Sequence, residues 1–127
     1  MLIDTDILIW ALRGRVEAKR AITSIDVSFR YISVITHLEL LEGIRNKAEL
    51  RALKDWLNAA DLKVVPLNES IGVLALALME QHTLQNGLET DDALIAASAL
   101  HYKQTLYTCN IKHFKNLGLE LRQFSLL

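Results

Sequence analysis

The 127-residue chain predicts an α/β fold with a mainly parallel central sheet of four to five strands and helices on both faces. Three observations carry this prediction. Short apolar or β-branched runs recur along the chain. Segments with apolar residues at helical spacing separate them. Acidic or amide residues follow several of the runs, where open α/β sheets place ligand sites.

Leu2-Ile3 reads as a first, buried strand that emits Asp4 at its carboxyl end, with Asp6 two residues on. Residues 7–12 then supply the first turns of a helix that closes near Gly14, and residues 18–24 a short second helix. Residues 30–33, aromatic and β-branched, form the second strand. Ser33 or Thr36 caps a helix over residues 34–46, in which Ile35, Leu38, Leu41 and Ile44 recur at helical spacing. Glu39 and Glu42, three apart, share one face of it.

A further helix spans residues 47–60, with Leu50, Leu53, Trp56 and Leu57 inward. Residues 62–65 form a third strand, stopped where Pro66 withdraws its amide from the ladder. The helix over residues 69–84 is apolar almost all round, more than one core-facing stripe requires, so a second copy of the chain is expected against it in a homodimer. It ends at Gln85-Asn86-Gly87. Thr90 or Asp91 then caps a helix over residues 92–102, whose alanines permit close backbone approach. Residues 105–108 make the fourth strand, ending at Cys109-Asn110, and residues 119–121 a short fifth at an edge. No linker, repeat or low-complexity segment divides the chain, so a single domain over residues 1–127 is expected.

Formal charge is −1, and no overall field draws the chain to nucleic acid or membrane. Basic residues cluster at Arg13, Arg15, Lys19 and Arg20, at Arg45, Lys47, Arg51 and Lys54, and at Lys112 and Lys115. These are either solvated helix faces or contacts for a phosphate backbone. The lone thiol of Cys109 fits a reducing compartment. The opening lacks a basic signal-peptide region, and the longest apolar run, residues 71–79, falls far short of the ~20 residues of a membrane span. The expectation is a soluble cytoplasmic protein.

Asp4, Glu39, Asp92 and Asn110 can converge at one edge of such a sheet. Carboxylates gathered in one cleft repel, so they persist there with a cation between them or a shared proton. Asp and Glu without paired His or Cys suit a hard ion, Mg²⁺ or Mn²⁺, rather than zinc. No HExxH, CxxC or glycine-rich phosphate loop occurs. The chemistry left is metal-assisted attack of water on a phosphodiester.

These motifs resemble the PIN-domain ribonucleases, in particular the VapC-type toxins of prokaryotic toxin–antitoxin pairs. Residues 2–9 are similar to the family opening, with Asp4 as first acid; residues 33–43 resemble the second motif, with Glu39; residues 92–100 match most closely, with Asp92. The fourth motif, residues 108–114, keeps the threonine, asparagine and phenylalanine frame, but His113 stands where an acid is common. Asn110 takes the fourth polar position, Asp6 replaces the usual Asn, and Asp91 and Glu42 are supporting candidates. The resemblance implies a PIN-like three-layer fold and a Mg²⁺- or Mn²⁺-dependent endoribonuclease. Asp4, Glu39 and Asp92 would bind metal, Asn110 would join them in catalysis, RNA would be the substrate and a VapB-type antitoxin the partner. Asp4-Thr5-Asp6 with Asp91-Asp92 also resembles haloacid-dehalogenase-type phosphatases, which use the first Asp as nucleophile. Those usually carry Thr or Val where Leu8 stands, and Glu39 would have no role. A non-catalytic PIN-like binding module is the third alternative.

Overall fold

A computed structural model describes residues 1–126, the side chain of Asn86 excepted. The chain runs β1 (Leu2–Ile3), α1 (Thr5–Leu12), α2 (Val16–Thr23), a 3₁₀ turn (Val27–Phe29), β2 (Tyr31–Ser33), α3 (Val34–Glu42) and α4 (Lys47–Ala59). It continues through β3 (Lys63–Val65), α5 (Glu69–Asn86), α6 (Thr90–His101), β4 (Leu106–Thr108), α7 (Ile111–Phe114) and β5 (Leu121–Gln123). All strands pair in parallel, in the order β3-β2-β1-β4-β5. β1 is therefore central, and its carboxyl end lies between those of β2 and β4.

Side chains alternate across a strand, so each strand feeds two cores. Ile3, Ile32 and Tyr107 point to one face, where they pack with Ile7 and Leu8 of α1, Ile22 of α2 and Leu53 and Leu57 of α4. Leu2 and Leu106 point to the other, against Ile71 and Leu78 of α5, Ile95 and Ala96 of α6 and Phe114 of α7. Each of these large side chains is worth about 1.5–3 kcal/mol in removal from water. Arg30, which precedes β2, is buried because its guanidinium donates to the carbonyls of Ile25, Ala60 and Thr23. It ties loops together and is not available to a ligand.

Helix boundaries depart from expectation where capping chemistry intervenes. Ser33 caps α3 by accepting the Ile35 N–H at 3.1 Å. That helix stops at Glu42 instead of running to residue 46, because Gly43 closes it and Asn46 accepts the Glu49 N–H at 2.9 Å to start α4 afresh. α5 runs past residue 84 to Asn86, where Gly87 takes the left-handed conformation (φ 64°) that ends helices at little cost to glycine. The last strand is Leu121–Gln123, shifted from residues 119–121. Among the described residues no helix is long and apolar enough to cross a membrane.

Candidate active site

Asp4 follows β1 directly and serves as N-cap of α1, with only 5 % of its surface exposed. The Thr5 N–H donates to its Oδ1 at 2.8 Å and the Thr108 hydroxyl to its Oδ2 at 2.7 Å. The second bond exists because β4 is the neighbour of β1 and ends level with it. Burial pushes the Asp4 carboxyl up to about 6; its two donors oppose this, and the nearby charges of Asp6 and Asp92 add to it.

Glu39 arrives from the middle of α3. The Thr5 hydroxyl donates to its Oε1 at 2.8 Å and lies 2.9 Å from the Thr36 hydroxyl. Thr5 has one hydroxyl hydrogen, so Thr36 must donate to Thr5 as Thr5 donates to Glu39, a relay that aims the carboxylate. Burial raises the Glu39 carboxyl to about 7; the Thr5 bond opposes it, and the Asp91 carboxylate beside it contributes.

The third acid is held differently. The N-cap of α6 is Glu89, where Thr90 or Asp91 was expected. Asp92 stands at the third helical position and reaches back, its Oδ2 accepting the Glu89 N–H at 3.3 Å, while Asp91 Oδ1 accepts the Asp92 N–H at 3.0 Å. His113 Nδ1 lies 3.3 Å from the same Asp92 Oδ2. Burial raises the Asp92 carboxyl, opposed by the Glu89 bond and reinforced by Asp91. Asn110 donates its amide hydrogen to Asp6 Oδ2 at 3.1 Å and its backbone N–H to the Thr108 hydroxyl at 2.9 Å. Thr108 thus passes one hydrogen bond on to Asp4 as it receives another.

All four predicted residues, Asp4, Glu39, Asp92 and Asn110, line one cavity of about 190 Å³, together with Thr5, Asp6, Glu89, Asp91, Ile95 and His113. Glu42 does not; it borders an adjoining hollow with Leu38 and Leu94 that shares Glu39, Glu89 and Asp91 with the cavity. Sequence reasoning missed Glu89, whose carboxylate with those of Asp91 and Asp92 brings ligand oxygens within 4.8 Å of one another. The signal was present as an acid three residues before Asp92, the spacing of a capping box. It also gave the hydroxyls of Thr5, Thr36 and Thr108 no part in holding the acids; Thr36 was weighed only as a helix cap, a place that Ser33 takes.

Among the described residues, six carboxylates surround this cavity and no Lys or Arg lines it. Such a donor set, oxygen-rich and with carboxyl groups pushed above their usual range, fits a hard divalent cation. The family model of the PIN domain matches residues 1–118. The chain belongs to the PIN domain family. Within it the chain is VapC-type, for relatives 31–35% identical to it are named VapC ribonucleases.

Ribonuclease VapC10 of Mycobacterium tuberculosis is 35% identical to this PIN domain over 116 residues, 90% of this chain and 85% of that protein. Ribonuclease VapC1 of Rickettsia felis is 31% identical over 95% of this chain and 93% of its own. A toxin–antitoxin complex from Klebsiella pneumoniae superposes with a TM-score of 0.77 at 27% identity, covering 96% of this chain and 95% of that one. VapBC-1 of nontypeable Haemophilus influenzae, at 24% identity and TM-score 0.78, shares the fold. This assignment sets aside the phosphatase alternative, which also leaves Glu39 without a part in the cavity it lines.

Proposed function

We propose that this PIN domain is a Mg²⁺- or Mn²⁺-dependent endoribonuclease and the toxin of a type II toxin–antitoxin pair. The observation that carries the reading is the meeting of Asp4, Glu39 and Asp92, from three different elements, in one cavity walled by six carboxylates. That its relatives include proteins named ribonucleases supports the substrate class. A binding module for a polyanion would have no use for so many acids, which repel phosphate unless a cation intervenes.

Asp4, Glu39 and Asp92 would hold the ion, with Glu89 and Asp91 adding charge beside Asp92. When bound, it supplies a water of lowered pKa and a counter-charge for the phosphodiester oxygens. The chain's own residues do the positioning. Thr108 and the Thr5 amide occupy one lone pair on each Asp4 oxygen and fix the carboxylate plane. The Thr36–Thr5 relay does the same for one oxygen of Glu39. Asn110 steadies Asp6 at the rim. In the test, purified protein cleaves RNA with Mg²⁺ or Mn²⁺ present and stops when a chelator is added; undiminished cleavage under chelation would remove the metal from the reading.

The proposed partner is a VapB-type antitoxin. A hollow of about 750 Å³ opens beside Glu39, walled by Ile9, Leu12, Leu40, Ile44, Leu53 and Trp56 with Arg13, Lys19 and Arg45 among them. Its apolar floor suits an amphipathic helix, and a cation carried on that helix would compete with metal for the acids. Antitoxin affinity is expected to fall as Mg²⁺ rises at constant ionic strength. We also assign a homodimer through α5: Ile71, Ala75 and Leu78 are buried, yet Val73 and Leu76 on its other side are 64 % and 62 % exposed. A single-chain mass in light scattering at micromolar concentration would exclude it.

A further inference from the structure

One wall of the acidic cavity is not oxygen. His113 sits on α7, whose next residue, Phe114, is fully buried, and its backbone N–H is tied to the Asn110 carbonyl at 3.0 Å. The ring is thereby carried on an anchored turn, and its Nδ1 lies 3.3 Å from Asp92 Oδ2. Two ligand atoms on adjacent corners of an octahedral shell, with bonds of about 2.1 Å, are separated by about 3.0 Å. The imidazole nitrogen and the carboxylate oxygen therefore already stand near the spacing of neighbouring ligands on one ion.

We propose that His113 is a specificity-determining residue, giving its Nδ1 to the ion that Asp92 holds and so biasing the site towards Mn²⁺ over Mg²⁺. The proposal rests on the reading of this cavity as a divalent-metal site. Mg²⁺ is hard and favours an all-oxygen shell, whereas Mn²⁺ follows it towards nitrogen-tolerant transition metals, for which imidazole is a suitable ligand. To bind the ion, the ring would present its Nδ1 lone pair and carry its hydrogen on Nε2. A ring that only oriented Asp92 through a hydrogen bond would support the carboxylate without altering the choice of ion.

Electron spin-echo modulation of the Mn²⁺-loaded protein tests this, because a directly bound ring nitrogen modulates the echo. The expected result is nitrogen modulation in the parent, its loss in His113→Asp with Mn²⁺ still bound, and a fall of about tenfold in the Mn²⁺-to-Mg²⁺ affinity ratio. Should His113→Asp fail to fold, His113→Gln removes the same nitrogen with less change of charge. Mn²⁺ bound without nitrogen modulation, or an affinity ratio unmoved by both substitutions, overturns the proposal. Absence of Mn²⁺ binding to the parent sinks the metal-site reading itself, and this proposal with it.

Discussion

Asp4 and Asp92 line the same cavity, yet the chain holds them by different means. Asp4 is carried by the central strand, buried, with a hydroxyl and an amide on its two oxygens. Asp92 is carried by the first turn of α6, its side chain 15 % exposed, and spends one oxygen on a helix cap and on His113. The contrast teaches that a sheet can fix a charge inside the protein because neighbouring strands bring donors to it. A helix start fixes a charge cheaply, since capping and the macrodipole already favour an acid there. The Asp4 side is thus where positional order is concentrated, and the Asp92 side is where charge is added.

The sharpest way to break that arrangement is Asp4→Asn, which keeps size and discards charge. RNA cleavage is expected to fall by about 10³-fold or more, since the proposed site loses one of its metal ligands. The metal-free fold should survive, and gain if anything, because a buried acid with raised proton affinity is removed. Well-folded Asp4→Asn that cuts RNA at the parental rate would show the assignment to be wrong.

Thr108→Val is the next step down. It removes the donor to Asp4 and the acceptor of the Asn110 N–H in one nearly isosteric change. The expected cost is about 1–3 kcal/mol in denaturant unfolding, with cleavage reduced roughly tenfold, since the buried Asp4 carboxyl and the half-buried Asn110 N–H each lose a partner. Asp92→Asn, by contrast, should cost stability by no more than about 1 kcal/mol, in line with loss of half a helix cap. Equal stability losses for the two variants would erase the distinction between the two sides.

The smallest expected effect is on pH dependence. Asp4 and Glu39, raised to about 6 and about 7, bind more protons in the folded than in the unfolded chain between the ordinary carboxylate range and those values. Stability of the metal-free protein therefore declines as pH rises from about 4 to 7 and is flat above. Lowering the pH from 8 to 5 should raise the melting temperature by roughly 2–5 °C, read by calorimetry in chelator. Saturating Mg²⁺ should flatten or reverse the slope, because protons then compete with the ion. A metal-free melting temperature that falls over that interval would contradict the mutual strain of the carboxylates.

Much of this architecture is legible in one dimension. Five short runs and the helical periods between them are local signals, and Leu2-Ile3, Tyr31–Ser33 and Leu106–Thr108 are found within a residue or so of where they were expected. The three acids stood out because charge beside an apolar run is conspicuous. What was not legible is what bears no such contrast. Glu89 read as a loop residue, and nothing in the sequence tied the hydroxyls of Thr5, Thr36 and Thr108 to the carboxylates they serve. The break at Gly43 depends on competition between two caps, which periodicity does not register.

The sequence by itself determined which segments are strands and helices, and that Asp4 falls at a strand end, Glu39 within a helix and Asp92 at a helix start. Only the tertiary structure decided that β1 lies between β2 and β4. That order brings Thr108, 104 positions away, onto Asp4 and lets Thr5 reach Glu39. Periodicity arises from each residue's own neighbours along the chain. Strand order and the hydrogen bonds it permits arise from long-range pairing, where the whole chain must close two cores at once.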